Sequence, residues 1–179
     1  MEINPRKLFV IVGYPDSGKR ITLHHLFKRK SFFPFKNPIQ AIGLDNTKFV
    51  VVNVTNRRRR TELYLSQVRD VLQWHAFSST SFMIMMSLIL DDGIHDVRKM
   101  LEYLNESSFD LYYLILESNV KNKGLIQEHH LETFSSLVKK GYIYHFETLV
   151  TSSPPRLKQR ADEVKQVIRD ILREKKSKM

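Results

Sequence analysis

The sequence predicts a single α/β domain, in which a mostly parallel sheet of about five strands is covered by helices on both faces. Short apolar runs typical of strands alternate five times with segments that repeat apolar residues at helical spacing. Strands joined in this way by helices pair in parallel through right-handed crossovers, which gives three layers. The apolar fraction of 42% among 179 residues is large enough for a core and argues against disorder.

The predicted strands are short runs that are continuously apolar or rich in β-branched residues. The first of them ends at Gly13, where the chain is free to turn. Five main runs cover residues 8–12, 48–55, 83–90, 111–116 and 142–150, and a shorter run lies at residues 39–42.

The predicted helices repeat apolar residues at positions that share one helix face. They cover residues 18–30, 61–77, 94–105 and 127–140, and a last helix runs from Leu157 through Ile171 into a basic tail. The segment TSSPP, residues 151–155, is predicted to be a stiff connector before that helix. No repeat or long linker divides the chain, so we expect a domain of residues 1–155 on which residues 156–179 pack.

The net charge of +10 is distributed unevenly along the chain. Residues 1–36 and the stretch from Arg156 onward are basic, whereas residues 61–155 carry seven basic and twelve acidic side chains. This separation favours a surface that faces a polyanion, and nucleotide phosphates, nucleic acid and anionic lipid would all satisfy it. A basic protein with no polyanion partner is the alternative.

The absence of cysteine excludes disulfides, thiolate metal sites and a cysteine nucleophile. Residues 1–5 lack the pattern of a signal peptide, and the longest apolar run, residues 82–90, is far shorter than the roughly 20 residues that span a bilayer. We therefore expect a cytoplasmic protein without membrane insertion. The sequence gives no indication of the oligomeric state.

A loop with the spacing G-x-x-x-x-G-K, from Gly13 to Lys19, lies between the first predicted strand and the first predicted helix. Gly13 allows a sharp turn, the loop amides can form a nest for an anion, and Gly18 allows close approach of a phosphate. The helix adds its positive N-terminal end, and Lys19 adds a mobile ammonium group. A Gly-rich turn that only joins strand to helix is the alternative.

This loop, together with the strand–helix order of the chain, resembles the P-loop NTPase superfamily and its Walker A loop. The resemblance implies that a nucleoside triphosphate is bound, ATP being favoured over GTP, with Mg²⁺ as a candidate cofactor. It also implies a catalytic role for Lys19 at the outer phosphates. The residues that it assigns to nucleotide binding are Gly13, Tyr14, Pro15, Asp16, Ser17, Gly18, Lys19, Arg20 and Ile21.

Arg20 departs from the family pattern, in which a serine or threonine hydroxyl at this position binds Mg²⁺. A guanidinium group only donates hydrogen bonds and cannot bind a cation. Arg20 either turns outward and leaves the metal to carboxylates and water, or contacts phosphate itself and replaces part of the charge of the metal. The second outcome predicts binding with slow or no hydrolysis.

A second feature of the family is an acid at the end of a hydrophobic strand, and the run MIMMSLILDD ends in Asp91 and Asp92. The resemblance implies that Asp91 binds the metal and that Asp92 positions the attacking water. Capping of the next helix by either aspartate is the alternative. The strand pattern before it ends in Asn53 and Asn56, so a metal site depends on which strand lies beside the loop. The sequence does not decide the strand order.

Four consecutive arginines, Arg57, Arg58, Arg59 and Arg60, follow a predicted strand and are candidate contacts for a polyanion. A solvated loop is the alternative for these residues. Taken together, the features predict a nucleotide-binding P-loop protein whose hydrolysis is weak or atypical. The alternatives are a non-catalytic module that binds nucleic acid or protein through its basic surfaces, and a small-molecule or nucleotide kinase.

Overall fold

A computed structural model describes residues 6–29, 32–76, 78–121 and 124–174 of the protein. The predictions that concern residues 1–5, 30–31, 77, 122–123 and 175–179 lie outside these ranges. The strands are β1 (Lys7–Gly13), β2 (Ile39–Ala41), β3 (Thr47–Val52), β4 (Ser81–Ser87), β5 (Asp110–Leu116) and β6 (Tyr142–Phe146). The helices are α1 (Lys19–Phe27), α2 (Thr61–Trp74), α3 (Arg98–Glu106), α4 (Glu128–Leu137) and α5 (Pro154–Glu174).

The strands form one sheet with the order β2-β3-β4-β1-β5-β6. Neighbouring strands pair in parallel except at one edge, where β2 pairs antiparallel with β3. The predicted α/β class is therefore confirmed, with six strands in place of about five.

The central strand β1 is buried along its whole length and separates two apolar cores. Leu8, Val10 and Val12 face the core that includes buried residues of α2, α3 and α4. Phe9 and Ile11 face the opposite core, to which α1 and α5 contribute. Burial on both faces explains why this strand reads as a continuous apolar run and not as an alternating one.

The neighbour of β1 on the side of β3 is β4, and Gly13 lies opposite Ser87 in the register of the two strands. The structure thus answers the question of strand order that the sequence left open. The end of β4, and not the end of β3, is immediately beside the loop that follows β1. This edge of the sheet is where ligands of open parallel sheets bind.

The predicted connector at residues 151–155 was wrong in its second half, because α5 begins at Pro154. Proline is tolerated in the first turn of a helix, where its missing amide would have no helical acceptor. Among the described residues, no helix combines the length and the apolar character needed to cross a membrane.

Two boundaries near the predicted acidic pair also differ from the prediction. Strand β4 ends at Ser87, and α3 begins only at Arg98. The segment between them is held in turns by Asp96, whose carboxylate accepts the amides of Asp92 at 2.9 Å and of Arg98 at 2.8 Å. The carboxylate beside the start of α3 is therefore Asp96, and not either member of the predicted pair.

Candidate functional site

The loop between β1 and α1 is folded back on itself. The amide of Ser17 donates to the carbonyl of Tyr14 at 3.1 Å, and both Asp16 and Gly18 adopt positive φ angles, of 64° and 83°. Glycine adopts such a conformation without strain, and aspartate tolerates it better than most residues do. The sequence spacing therefore corresponds to a compact turn that leads directly into the first turn of α1.

Several amides of this loop have no partner in the part of the chain that the structure describes. Within the described residues, no hydrogen-bond acceptor is found for the backbone amides of Asp16, Gly18, Lys19 and Arg20. Unsatisfied amides are expected at a helix N-terminus, and here they continue into the loop. The carbonyls are turned the other way, since Asp16 accepts from the amide of Val120 at 3.1 Å. The arrangement leaves a group of donors for an anion.

Lys19 reaches back over this loop and is only 6% exposed. Its ammonium group donates to the carbonyls of Gly13 at 3.0 Å and Tyr14 at 2.7 Å, and to the hydroxyl of Ser17 at 3.3 Å. Burial lowers the pKa of Lys19 to about 7, and the positive charges of Arg57 and Arg160 act in the same direction, against the charge of Asp16. An anion at this position would stabilise the ammonium form.

A second buried cation, carried by α5, also contacts the loop. Arg160 of α5 is 0% exposed and donates to the carbonyl of Ser17 at 2.5 Å and to that of Ser118 at 3.1 Å. Its Nε atom has no partner among the described residues, and burial lowers its pKa to about 10. A Cβ atom on Gly18 would lie 2.8 Å from Nη2 of Arg160. The close approach of this guanidinium to the loop therefore favours glycine at position 18.

Sequence reasoning missed Arg160, although the sequence carries a signal for it. The apolar stripe of α5 includes Leu157, Ala161 and Val164, and Arg160 lies on the same face by helical spacing. A charged residue within a buried stripe is uncommon and indicates a specific partner.

In front of the loop lies a cleft of about 290 Å³, at the lower end of the range for small-molecule sites. It extends from the loop past the end of β4 to the end of β3. Its walls combine backbone, apolar, neutral polar and cationic groups with a single carboxylate among the described residues. The lining residues are Pro15, Asp16, Ser17, Gly18, Lys19, Arg20, Ile21, Asn53, Val54, Thr55, Arg57, Arg58, Met85, Ser87, Val120 and Lys121.

That carboxylate belongs to Asp16, and it joins two cations across the mouth of the cleft. Its Oδ1 atom accepts from Arg57 at 2.8 Å, and its Oδ2 atom lies 3.3 Å from the ammonium of Lys121. The hydrogen bond from Arg57 is the main reason why the pKa of Asp16 is lowered. The residues that follow β3 and β5 are thus connected through the tip of the loop.

The structure brings most of the predicted phosphate-binding residues to this cleft, from Pro15 to Ile21. Gly13 and Tyr14 lie behind the wall, where their carbonyls hold Lys19. The side chain of Tyr14 turns away, and its hydroxyl contacts His130 Nδ1 and accepts from the amide of Gln127.

The four predicted polyanion contacts divide into two groups. Arg57 and Arg58 line the cleft, whereas Arg59 and Arg60 do not. Arg59 instead donates to the side chain of Gln67 on α2 at 2.8 Å. A polyanion contact of the whole run remains a prediction, and only its first half shares a wall with the phosphate loop.

The predicted acidic pair is not brought to the cleft. Asp91 accepts the amide of Gly93 at 2.9 Å, Asp92 pairs with Arg98, and neither aspartate lines the cleft. The strand that was predicted to carry them to the edge of the sheet ends at Ser87, three residues before the predicted end at Leu90. Their assignment to a metal and to the attacking water stays a prediction without support from this geometry.

Asn56, at the end of the strand pattern that precedes the acidic pair, binds the backbone of β4. Its amide nitrogen donates to the carbonyl of Ser87 at 3.0 Å, and its amide oxygen accepts the Ser87 amide at 2.8 Å. This two-way contact fixes the end of β4 next to the loop. Asn53 remains on the wall of the cleft.

The chain matches no family model and no curated protein. Among solved structures, it is similar to the unliganded crystal structure of a sugar kinase from a Janibacter species, with 13% sequence identity and a TM-score of 0.38. That similarity covers 88% of this chain and 92% of the sugar kinase chain. A TM-score this low does not indicate a shared function, and the chemistry of the cleft follows from its own residues.

Proposed function

We propose that the protein binds a nucleoside triphosphate, with its phosphates in the cleft and on the amides of the loop. The observation that carries this proposal is the pair of buried cations, Lys19 and Arg160, which both contact one loop and have no carboxylate hydrogen-bond partner among the described residues. Burying a cation costs free energy unless an opposite charge offsets it. A bound phosphate would supply that charge.

The loop amides are hydrogen-bond donors that would orient a bound phosphate. A phosphate in front of the loop would accept from the amides of Gly18, Lys19 and Arg20, which have no other acceptor within the described residues. Charge-assisted hydrogen bonds of this kind are roughly twice as strong as neutral ones. The order of a strand, a folded loop and a helix N-terminus is thus suited to a polyphosphate.

ATP is the first nucleotide to test, because the chain lacks the guanine-reading pattern N-K-x-D after β5. The proposal concerns binding, and weak or atypical hydrolysis remains a prediction from the resemblance. Calorimetric titration of ATP, GTP and ADP, with and without Mg²⁺, tests it directly. We expect binding by the wild-type protein and by Lys48→Ala, an exposed lysine outside the cleft, and none by Lys19→Ala. Failure of all nucleotides to bind in either buffer would contradict the proposal.

Proton uptake gives a second test of the same site. The pKa of Lys19 is about 7 in the free protein, so the amine is mostly neutral at about pH 8. A bound phosphate raises this pKa, and binding at about pH 8 should then take up close to one proton. Titration in two buffers of different ionisation enthalpy measures this uptake. Binding without uptake at that pH would show that the phosphates do not contact Lys19.

For the aspartates after β4 we expect almost no effect on nucleotide binding. Because neither lines the cleft, we expect Asp91→Asn and Asp92→Asn to change the nucleotide dissociation constant by less than about twofold. Titration of both variants with ATP in the presence of Mg²⁺ measures this. Loss of Mg²⁺-dependent binding in Asp91→Asn would instead support the metal role implied by the resemblance.

A further inference from the structure

Two positions of the cleft that matter to a magnesium site carry no anionic oxygen ligand. Mg²⁺ is bound by carboxylates, hydroxyls and water in octahedral geometry. The residue after Lys19 is Arg20, which lines the cleft and can only donate. Ser87, at the end of the neighbouring strand, stands where an acid would be useful to a metal. The hydroxyl of the family pattern is therefore absent at Arg20, and Ser87 offers a neutral hydroxyl in place of a carboxylate.

Apart from the neutral side-chain oxygens of Asn53, Thr55 and Ser87, the side-chain oxygen donors that line the cleft are already engaged. The hydroxyl of Ser17 accepts from Lys19, and the carboxylate of Asp16 is shared between Arg57 and Lys121. Within the described ranges, no group of three or more acidic or histidine side chains could hold a metal ion. The donor set does not fit the Mg²⁺ that the resemblance implies.

We propose that the cleft binds its polyphosphate as the metal-free anion, with Arg20, Arg57 and Lys121 supplying the charge that a metal supplies elsewhere. This inference rests on the proposed nucleotide binding and specifies the form of the ligand. Arg57 and Lys121 flank the loop from the segments after β3 and after β5, so a phosphate chain between them meets donors on both sides. Guanidinium groups match phosphate oxygens well, because they donate two hydrogen bonds in a planar fork.

In this binding mode, the carboxylate of Asp16 competes with the ligand for two of the three cations. Its carboxylate is paired with the two cations that would bind the ligand. It lies at the tip of the loop, beside amides that have no acceptor within the described residues. The carboxylate is an internal anion that holds Arg57 and Lys121 in place until a phosphate replaces it. Because a phosphate must compete with it, Asp16 weakens binding while it keeps the cations ordered.

Titrations of ATP and of inorganic tripolyphosphate, in EDTA and in excess Mg²⁺ at constant ionic strength, test the inference. We expect binding in EDTA that is at least as tight as in Mg²⁺, because the metal removes charge from the ligand. Binding that requires Mg²⁺, or that Mg²⁺ strengthens about tenfold, would overturn the metal-free mode while leaving nucleotide binding intact. Absence of binding in both buffers would instead remove the proposed function, and this inference with it.

Variants of the ion pair test the role of Asp16 separately. Asp16→Asn should tighten binding in EDTA by about two- to fivefold, as expected for the loss of a partly exposed ion pair. Arg57→Gln should weaken binding, and the matched control Arg69→Gln, at an exposed arginine of α2 that does not line the cleft, should not. Unchanged or weaker binding by Asp16→Asn, or equal effects of the two arginine variants, would overturn the assignment of these residues.

Discussion

Lys19→Met is expected to abolish nucleotide binding and, at neutral pH, to raise the stability of the folded protein. The folded state lowers the pKa of Lys19 from 10.5 to about 7, mainly through burial. At roughly 1.4 kcal/mol for each pH unit, the charged side chain costs the folded state on the order of a few kcal/mol. Methionine fills similar space without a charge, although three hydrogen bonds are lost. A net gain of 1 kcal/mol would raise Tm by roughly 2–4 °C.

The pH dependence separates this explanation from a general packing effect. Because the folded-state pKa of Lys19 lies below the unfolded value, the unfolded chain binds more protons between about pH 7 and 10.5. Wild-type stability should therefore rise with pH in this window, and the full cost of the charge should be present below it. Lys19→Met should lack this rise. Urea unfolding at about pH 6.5 and 9.5 measures the free energy of unfolding in each case.

Lys48→Met serves as the matched control for these measurements. Lys48 is exposed on β3, so its replacement should leave both the stability and its pH dependence close to those of the wild type. A Lys19→Met protein that is less stable than the wild type at neutral pH, with an unchanged pH dependence, would contradict the cost assigned to the buried charge. Opposite changes in stability and binding would identify Lys19 as a residue kept for its ligand.

The fold was largely predictable because its signals are local. The buried strands β1 and β5 are continuous apolar runs, and the amphipathic helices repeat their apolar residues at helical spacing. The position of β4 between β3 and β1 was not predictable, because it depends on the direction of long crossovers and not on any single segment. The end of β4 was misjudged for a similar reason. Its apolar run continues to Leu90, but Asn56 and Gly13 bind the backbone at Ser87 and Leu88.

The candidate site was predictable only where it follows the chain. The loop from Gly13 to Lys19 is a contiguous motif, and its spacing indicated the fold of the turn. The partners of the loop come from distant segments, as shown by Lys121 after β5 and Arg160 on α5. No local pattern links such residues, so their roles emerge only once the sheet brings the segments together.

Gly13→Ala is expected to cause a large loss of stability together with loss of binding, because the loop is packed onto this glycine. A Cβ atom there would lie 2.4 Å from Ser17 Oγ, 2.9 Å from Ser17 Cβ and 3.0 Å from the carbonyl oxygen of Leu116. The last contact is with backbone, so the loop or β1 must shift. Overpacking of this kind typically costs about 1–3 kcal/mol. A shift would also move the Gly13 carbonyl that holds Lys19, and nucleotide titration should then show no binding.

Gly43→Ala and Ser17→Gly make this test specific to the folded loop. A Cβ atom on Gly43 would meet only the end of the flexible Lys165 side chain, which can move aside, so this variant should be close to wild type in urea unfolding. Ser17→Gly removes two of the three clashes at Gly13, and in a double-mutant cycle it should recover part of the stability that Gly13→Ala loses. Equal stability of the two alanine variants, or no coupling between positions 13 and 17, would mean that the loop does not fold back over Gly13. The loop amides that are proposed to bind phosphate would then not have this arrangement in solution.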